Sequence, residues 1–110
     1  VTDNFLLFFY YFLPIKYNRS FFEETFKMND LDYRKLLWRA RRGMWELDQL
    51  LVPYCEEVVR GLSATAQESF ARLLKEEDAD LLNWFSLEGS PEDKELKSLI
   101  SDILKWKRNP

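Results

Sequence analysis

Ser90-Pro91-Glu92-Asp93-Lys94-Glu95-Leu96-Lys97-Ser98-Leu99-Ile100-Ser101-Asp102-Ile103-Leu104-Lys105-Trp106-Lys107-Arg108 is the stretch that decides the fold class of this chain. Leu96, Leu99, Ile100, Ile103 and Leu104 recur at i, i+3, i+4, i+7 and i+8, which lines one face of an α-helix. Ser90 offers an N-cap, Pro91 suits the first helical position, and acid follows within the first turn. Lys105, Lys107 and Arg108 put positive charge at the other end, where the helix dipole favours it. The segment is thus specified as a helix at both ends and along one face.

Working back along the chain, the same pattern recurs. Leu81, Leu82, Trp84 and Phe85 form a short helix, closed by Gly89 and entered through the acidic run Glu76-Glu77-Asp78-Ala79-Asp80. Negative charge at that helix start is favoured by the dipole. Ser63 is the expected N-cap of a helix with Ala66, Phe70, Leu73 and Leu74 turned inward. Before it, Leu47, Leu51, Tyr54, Val58 and Leu62 mark one buried stripe. Pro53 lies inside that stripe, so a kink or break near Val52 is expected, with Gly61 and Leu62 ending the helix. Asp30 or Asp32 is the expected cap of a first helix carrying Leu36, Leu37 and Ala40. The fold class is all-α, a compact bundle of about five short helices with short connections.

Only three glycines and four prolines in 110 residues agree with helices rather than a sheet of many tight turns. The length suits one core, not two. Residues 28–110 are read as that single domain. Residues 1–27 differ, holding ten of the eighteen aromatics, with an unbroken apolar run from Phe5 to Leu13 ended by Pro14. The run is about half the ~20 residues a helix needs to span a bilayer. As a secretory signal it is poor, since Asp3 and no basic residue precedes it and no small-residue cleavage site follows. The first expectation is a mis-assigned start, with Met28 native and residues 1–27 an aromatic-rich, disordered or extraneous extension. An interfacial membrane or partner anchor and a packed extra element are the alternatives.

Several chemistries are excluded by composition. Histidine is absent and Cys55 is the single cysteine, which removes disulfides within the chain and any Ser-His-Asp or Cys-His pair. A zinc site is nearly excluded on the same ground. Cys55, flanked by Glu56 and Glu57, reads as a partly buried structural thiol rather than a nucleophile. No metal site, catalytic residue or enzyme activity is expected. The net charge of −3 gives no global reason for nucleic-acid binding.

The candidate for function is Arg41-Arg42-Gly43-Met44-Trp45-Glu46-Leu47-Asp48. A glycine within a helical pattern costs roughly 1 kcal/mol relative to alanine, and its presence points to a turn or to a closely approaching partner surface. Five basic residues, Arg34, Lys35, Arg39, Arg41 and Arg42, lie just before it. They read as a solvated face, a patch for an acidic protein partner, or a phosphate-binding footprint. Arg42 and Glu46, four apart, can pair within a helix, although base before acid is the weaker order. Trp45 beside arginine resembles an interface hot spot, while Trp38 and Trp106 fit ordinary packing equally well. Glu46 and Asp48, two apart, diverge on a helix and do not make a paired acid-base site.

Arg42-Gly43-Met44-Trp45-Glu46 fits the Arg-Gly-x-x-Glu signature of the SdhE (YgfY-like) family, the flavin-assembly factors of succinate dehydrogenase. The block from Leu73 to Trp84 resembles the same family in register, and the resemblance spans about residues 29–108. Residues 1–27 have no counterpart in that pattern. The resemblance implies a bacterial cytoplasmic five-helix chaperone that meets the flavoprotein subunit of succinate dehydrogenase, or of fumarate reductase, and promotes covalent attachment of FAD. It implies Arg42, Gly43 and Glu46 as partner contacts, with Arg41 and Asp48 as neighbours, and Trp45 joins them as the hot-spot candidate read from the residues. FAD would be handled on the client, since no glycine-rich dinucleotide loop is present for stable binding here. The competing expectations are an antitoxin-like or nucleic-acid-binding helical regulator, and a membrane-associated adaptor if residues 1–27 are native.

Overall fold

A computed structural model describes residues 28–109, and the expectations for residues 1–27 fall outside them. The first helix, α1 (Asp30–Ala40), is capped by Asn29, whose side-chain oxygen accepts the Asp32 N–H at 2.9 Å. Neither Asp30 nor Asp32 is the cap. A cap must lie in extended backbone before the first helical residue, and both aspartates are already helical, where they face the positive end of the dipole. Leu36 and Ala40 are buried and Leu37 is half-buried, as their spacing predicts.

Helix α2 (Trp45–Glu57) runs unbroken through Pro53. Proline there cannot donate to the Gln49 carbonyl one turn back. That oxygen instead receives Lys107 Nζ from the last helix at 3.4 Å, and neighbouring helices support the segment. A 3-10 turn (Val59–Gly61) follows, tightening the rotation per residue. It alters the expected stripe: Leu47, Leu51 and Tyr54 are buried, but Val58 and Leu62 are only half-buried, while Cys55 and Val59 are fully enclosed.

Helix α3 (Ala64–Leu73) begins as its sequence predicts, with Ser63 Oγ accepting the Ala66 N–H at 3.1 Å. Helix α4 (Asp78–Phe85) has no side-chain cap bond, but Asp78 and Asp80 occupy its first turn. Gly89 is not the residue that reverses the chain after α4. Leu87 takes the left-handed conformation, with φ 63°. Its N–H bonds to the Trp84 carbonyl at 3.1 Å, and the Glu88 N–H bonds to the Asn83 carbonyl at 3.1 Å. This is the paired closure of a Schellman turn, usually built on glycine. Gly89 serves another purpose, since a Cβ there would sit 2.5 Å from Asn83 Nδ2.

Helix α5 (Lys94–Arg108) starts three residues later than the Ser90 cap predicts. Asp93 is the cap, accepting the Glu95 N–H at 2.9 Å and the Leu96 N–H at 3.4 Å. A carboxylate is a strong acceptor here and also offsets the dipole, so it takes the role over the serine upstream. Pro91 is buried before the helix rather than at its first position.

Helix α1 packs on α2 and α3 on α5, with α2 also meeting α4 and α5. The core joins Leu47, Leu51, Phe70, Leu73, Leu81 and Ile103, all fully buried. Tyr54 bridges two walls, with its ring 5.4 Å from Trp106 edge-on and 5.9 Å from Phe70. Polar groups that enter this core are matched. Gln67 donates to the Val59 carbonyl, and Arg72 ties α3 to Asp93 and Glu95 at the start of α5.

Candidate partner-docking site at the turn between α1 and α2

Four residues, Arg41 to Met44, connect α1 to α2. Gly43 sits at φ +79°, and a Cβ built on it would meet nothing within 4 Å. The glycine is therefore required by backbone conformation, not by crowding within the chain. The space beside it is open.

Arg42 turns inward. Its side chain is 16% exposed, and Nε donates to Asp78 Oδ1 at 2.7 Å. Nη1 donates to the carbonyl of Leu74 at 2.6 Å and more weakly to that of Arg39 at 3.3 Å. Nη2 donates to the Glu76 carbonyl at 2.7 Å. The two carbonyls at the C-terminal end of α3 would otherwise lack helical partners, and a guanidinium fork supplies several donors at fixed angles. Arg42 thus fastens the α1–α2 turn to the α3–α4 connection. It does not pair with Glu46, and most of its donors are committed within the chain.

Asp48 also works inward. Its Oδ1 accepts the Arg42 backbone N–H at 2.7 Å, which closes the turn from the α2 side. Glu46 is exposed, with no hydrogen bond or ion pair among the described residues. Arg41 is exposed as well, and Trp45, at the first position of α2, is 70% exposed. Of the six residues singled out by sequence, Arg42 and Asp48 build the turn. Gly43 shapes it, and Arg41, Trp45 and Glu46 face outward.

Trp38, for which the sequence leaves packing and exposure both open, is exposed in the structure. It is 80% exposed near the end of α1, and Leu31, seven residues earlier on the same face, is 61% exposed. Arg34 and Lys35 lie between them and are also exposed. The signal was available in the spacing. Tyr33, Leu36, Leu37 and Ala40 fill the inward stripe of α1, so Trp38 has to lie off it. Trp106, by contrast, packs on Tyr54 as expected.

Exposed residues of α1, the turn and the start of α2 thus include two tryptophans, a leucine, Arg41 and Glu46. Tryptophan and arginine carry much of the binding energy in protein interfaces. The surface has no nucleophile. Cys55 is fully buried, and burial, with help from Glu56, pushes its thiol up to about 11. No metal-binding cluster of His, Cys, Asp and Glu occurs among the described residues, and none of their helices is long and apolar enough to cross a membrane.

Residues 34–107 match the model of the family described as flavinator of succinate dehydrogenase. The matched span enters within α1 and reaches the last turn of α5, so it takes in the whole α1–α2 turn. A Pseudomonas aeruginosa protein named FAD assembly factor SdhE is 45% identical over 76 residues, 69% of this chain and 90% of that protein. A Psychrobacter arcticus protein of the same name is 38% identical over 78 residues, covering 71% and 84%. One from Pectobacterium atrosepticum is 42% identical over 69 residues, covering 63% and 78%.

Proposed function

This chain belongs to the family of flavinators of succinate dehydrogenase, and we propose that the outward face of its α1–α2 turn docks on the flavoprotein subunit while that subunit acquires covalent FAD. The chain is an FAD assembly factor. The observation that carries the docking assignment is the division of labour within one short motif. Arg42 and Asp48 hold the turn from inside, so Arg41, Trp45 and Glu46 are presented on a fixed support, with Trp38 exposed near the end of α1.

The residues define what this protein contributes. With no histidine in the sequence and Cys55 enclosed, it offers neither a histidine nor an accessible cysteine to bond the flavin. The bond-forming histidine and the flavin belong to the client, and cofactor chemistry remains the cofactor's own. The assembly factor acts by positioning. Binding energy from the tryptophans and cations selects a client conformation in which histidine and flavin are aligned, and orientation alone can lower a barrier substantially. Glu46 orders a polar group of the client, and Gly43 leaves its side of the turn open to close approach. The protein has no catalytic residue of its own and does not hold FAD stably. Its three glycines do not form a dinucleotide loop, which also needs a strand leading into a helix.

The flavoprotein subunit of fumarate reductase is included as a second client, and the bacterial cytoplasm as the place of action. The test is covalent flavin fluorescence of each flavoprotein on a denaturing gel, with limiting FAD. Wild-type protein should raise the signal, and Glu46→Ala should not, although it melts at the wild-type temperature. Equal flavinylation with wild type, with Glu46→Ala and without either would overturn the proposal.

A further inference from the structure

A second surface, made of residues outside the α1–α2 turn, lies between the loop after α4 and the outer face of α5. It is an open groove of about 480 Å³ whose apolar lining includes Trp84, Leu87, Pro91, Ile100 and Leu104. Lys97, Lys105 and Arg108 line it as well, and no carboxylate does. None of these three cations is paired with a carboxylate among the described residues. Lys107 also borders the groove, but its ammonium reaches the Gln49 carbonyl. In a chain of net charge −3, a groove with only positive rims is a local exception.

The spacing gives the groove a direction. Lys97, Ile100, Ser101, Leu104, Lys105 and Arg108 fall at i, i+3, i+4, i+7, i+8 and i+11, one continuous stripe of α5. From Lys97 to Arg108 the helix rises about 16 Å, so cations stand at both ends of an apolar floor roughly three turns long. Opposite this stripe stands Leu87, 76% exposed in a backbone conformation that disfavours bulky side chains. A glycine would close the same turn with less strain.

We propose that this groove docks an acidic segment of a protein partner, with apolar side chains on one side set between Leu87 and the Ile100–Leu104 floor. Carboxylates spaced along the segment would meet Lys97 at one end and Lys105 and Arg108 at the other. An anionic headgroup or fatty acid carries its charge at one end only and would leave the cations at the other end of the groove unmatched. The site goes beyond the flavinylation reading and is testable without a client.

The probe is a synthetic peptide of roughly fourteen residues with leucine at i, i+3, i+4 and i+7 and glutamate elsewhere, a one-faced helix. Its counterpart carries lysine in place of glutamate. Each is titrated into the full-length, isotope-labelled protein and followed by NMR. The acidic peptide should shift the Trp84 indole and the amides of Leu87, Ile100 and Leu104, and the basic peptide should not. Lys97→Glu combined with Lys105→Glu should weaken binding about tenfold, as expected for losing two complementary charges. Leu87→Gly should also weaken binding while keeping or raising Tm, which separates a contact from a structural role. Silence in the groove at about millimolar peptide, equal binding of the basic peptide, or an unchanged Kd for Leu87→Gly would each overturn the proposal. Perturbation of the same residues by phosphatidylglycerol vesicles but not by the peptide would assign the groove to a membrane surface instead.

Discussion

The turn between α1 and α2 and the turn after α4 both reverse the chain through one residue with positive φ, but they are built differently. The first uses Gly43 at +79° and is fastened by Arg42 to residues more than thirty positions away. The second uses Leu87 at 63° and is closed by its own neighbours, through the Asn83 and Trp84 carbonyls. The first turn therefore depends on the α3–α4 connection as well as on Asp48 from its own side. The second is local. The difference teaches where side chains are wanted: the long-range turn leaves its reversing residue bare and displays tryptophans beside it, whereas the local turn puts a leucine on the reversal itself.

The largest expected effect breaks the long-range turn. Arg42→Ala removes the Asp78 pair and strands the Leu74 and Glu76 carbonyls, which should cost about 2–4 kcal/mol in urea unfolding. Arg42→Lys should recover only part of that loss, because an ammonium cannot reproduce the fork. If Arg42→Ala unfolds at the wild-type midpoint, the turn is held by something other than its guanidinium. A smaller effect is expected at the reversal. Gly43→Ala meets no atom and pays only for its left-handed backbone, roughly 1 kcal/mol. A loss well above that would mean that the open space beside Gly43 is not open in solution.

The local turn should respond in the opposite direction. Leu87→Gly relieves backbone strain but frees the unfolded chain, leaving a gain between zero and about 1 kcal/mol. Destabilisation would show that the leucine packs against the fold instead of standing clear of it. Smallest of all is Glu46→Ala, expected within about 0.5 kcal/mol of wild type because the carboxylate is exposed and unpaired. Its effect should fall on flavinylation alone.

Most of the fold was legible because each helix carries an apolar stripe and all but α2 a readable start signal. The boundaries that moved did so where more than one polar residue competes to cap a helix. Asn29 took that role from Asp30 and Asp32, and Asp93 took it from Ser90. Pro53 promised a break that the tertiary packing of α2 overrides. Gly89 suggested a chain reversal that Leu87 performs, because proximity of glycine to a helix end does not say which residue needs positive φ.

The motif was legible as a motif, but its two faces were not. Nothing local in Arg41-Arg42 says which arginine turns inward. The answer lies in Asp78 and two carbonyls of another connection, contacts visible only after the helices are packed. Trp38 is the opposite case. Its place on the outward side of α1 follows from Leu36 and Ala40, which fix the buried stripe of that helix.

The most direct test of the docking face uses the four tryptophans as reporters, since they sample three different surroundings. Trp38 and Trp45 stand on the outward face, Trp84 borders the α5 groove, and Trp106 packs on Tyr54. With 5-fluorotryptophan incorporated throughout, fluorine NMR is recorded before and after adding the unflavinylated flavoprotein subunit. The Trp38 and Trp45 resonances should move while Trp106 keeps its chemical shift. Unmoved Trp38 and Trp45 resonances in a complex that still forms would contradict the assignment and place the contact elsewhere on the molecule.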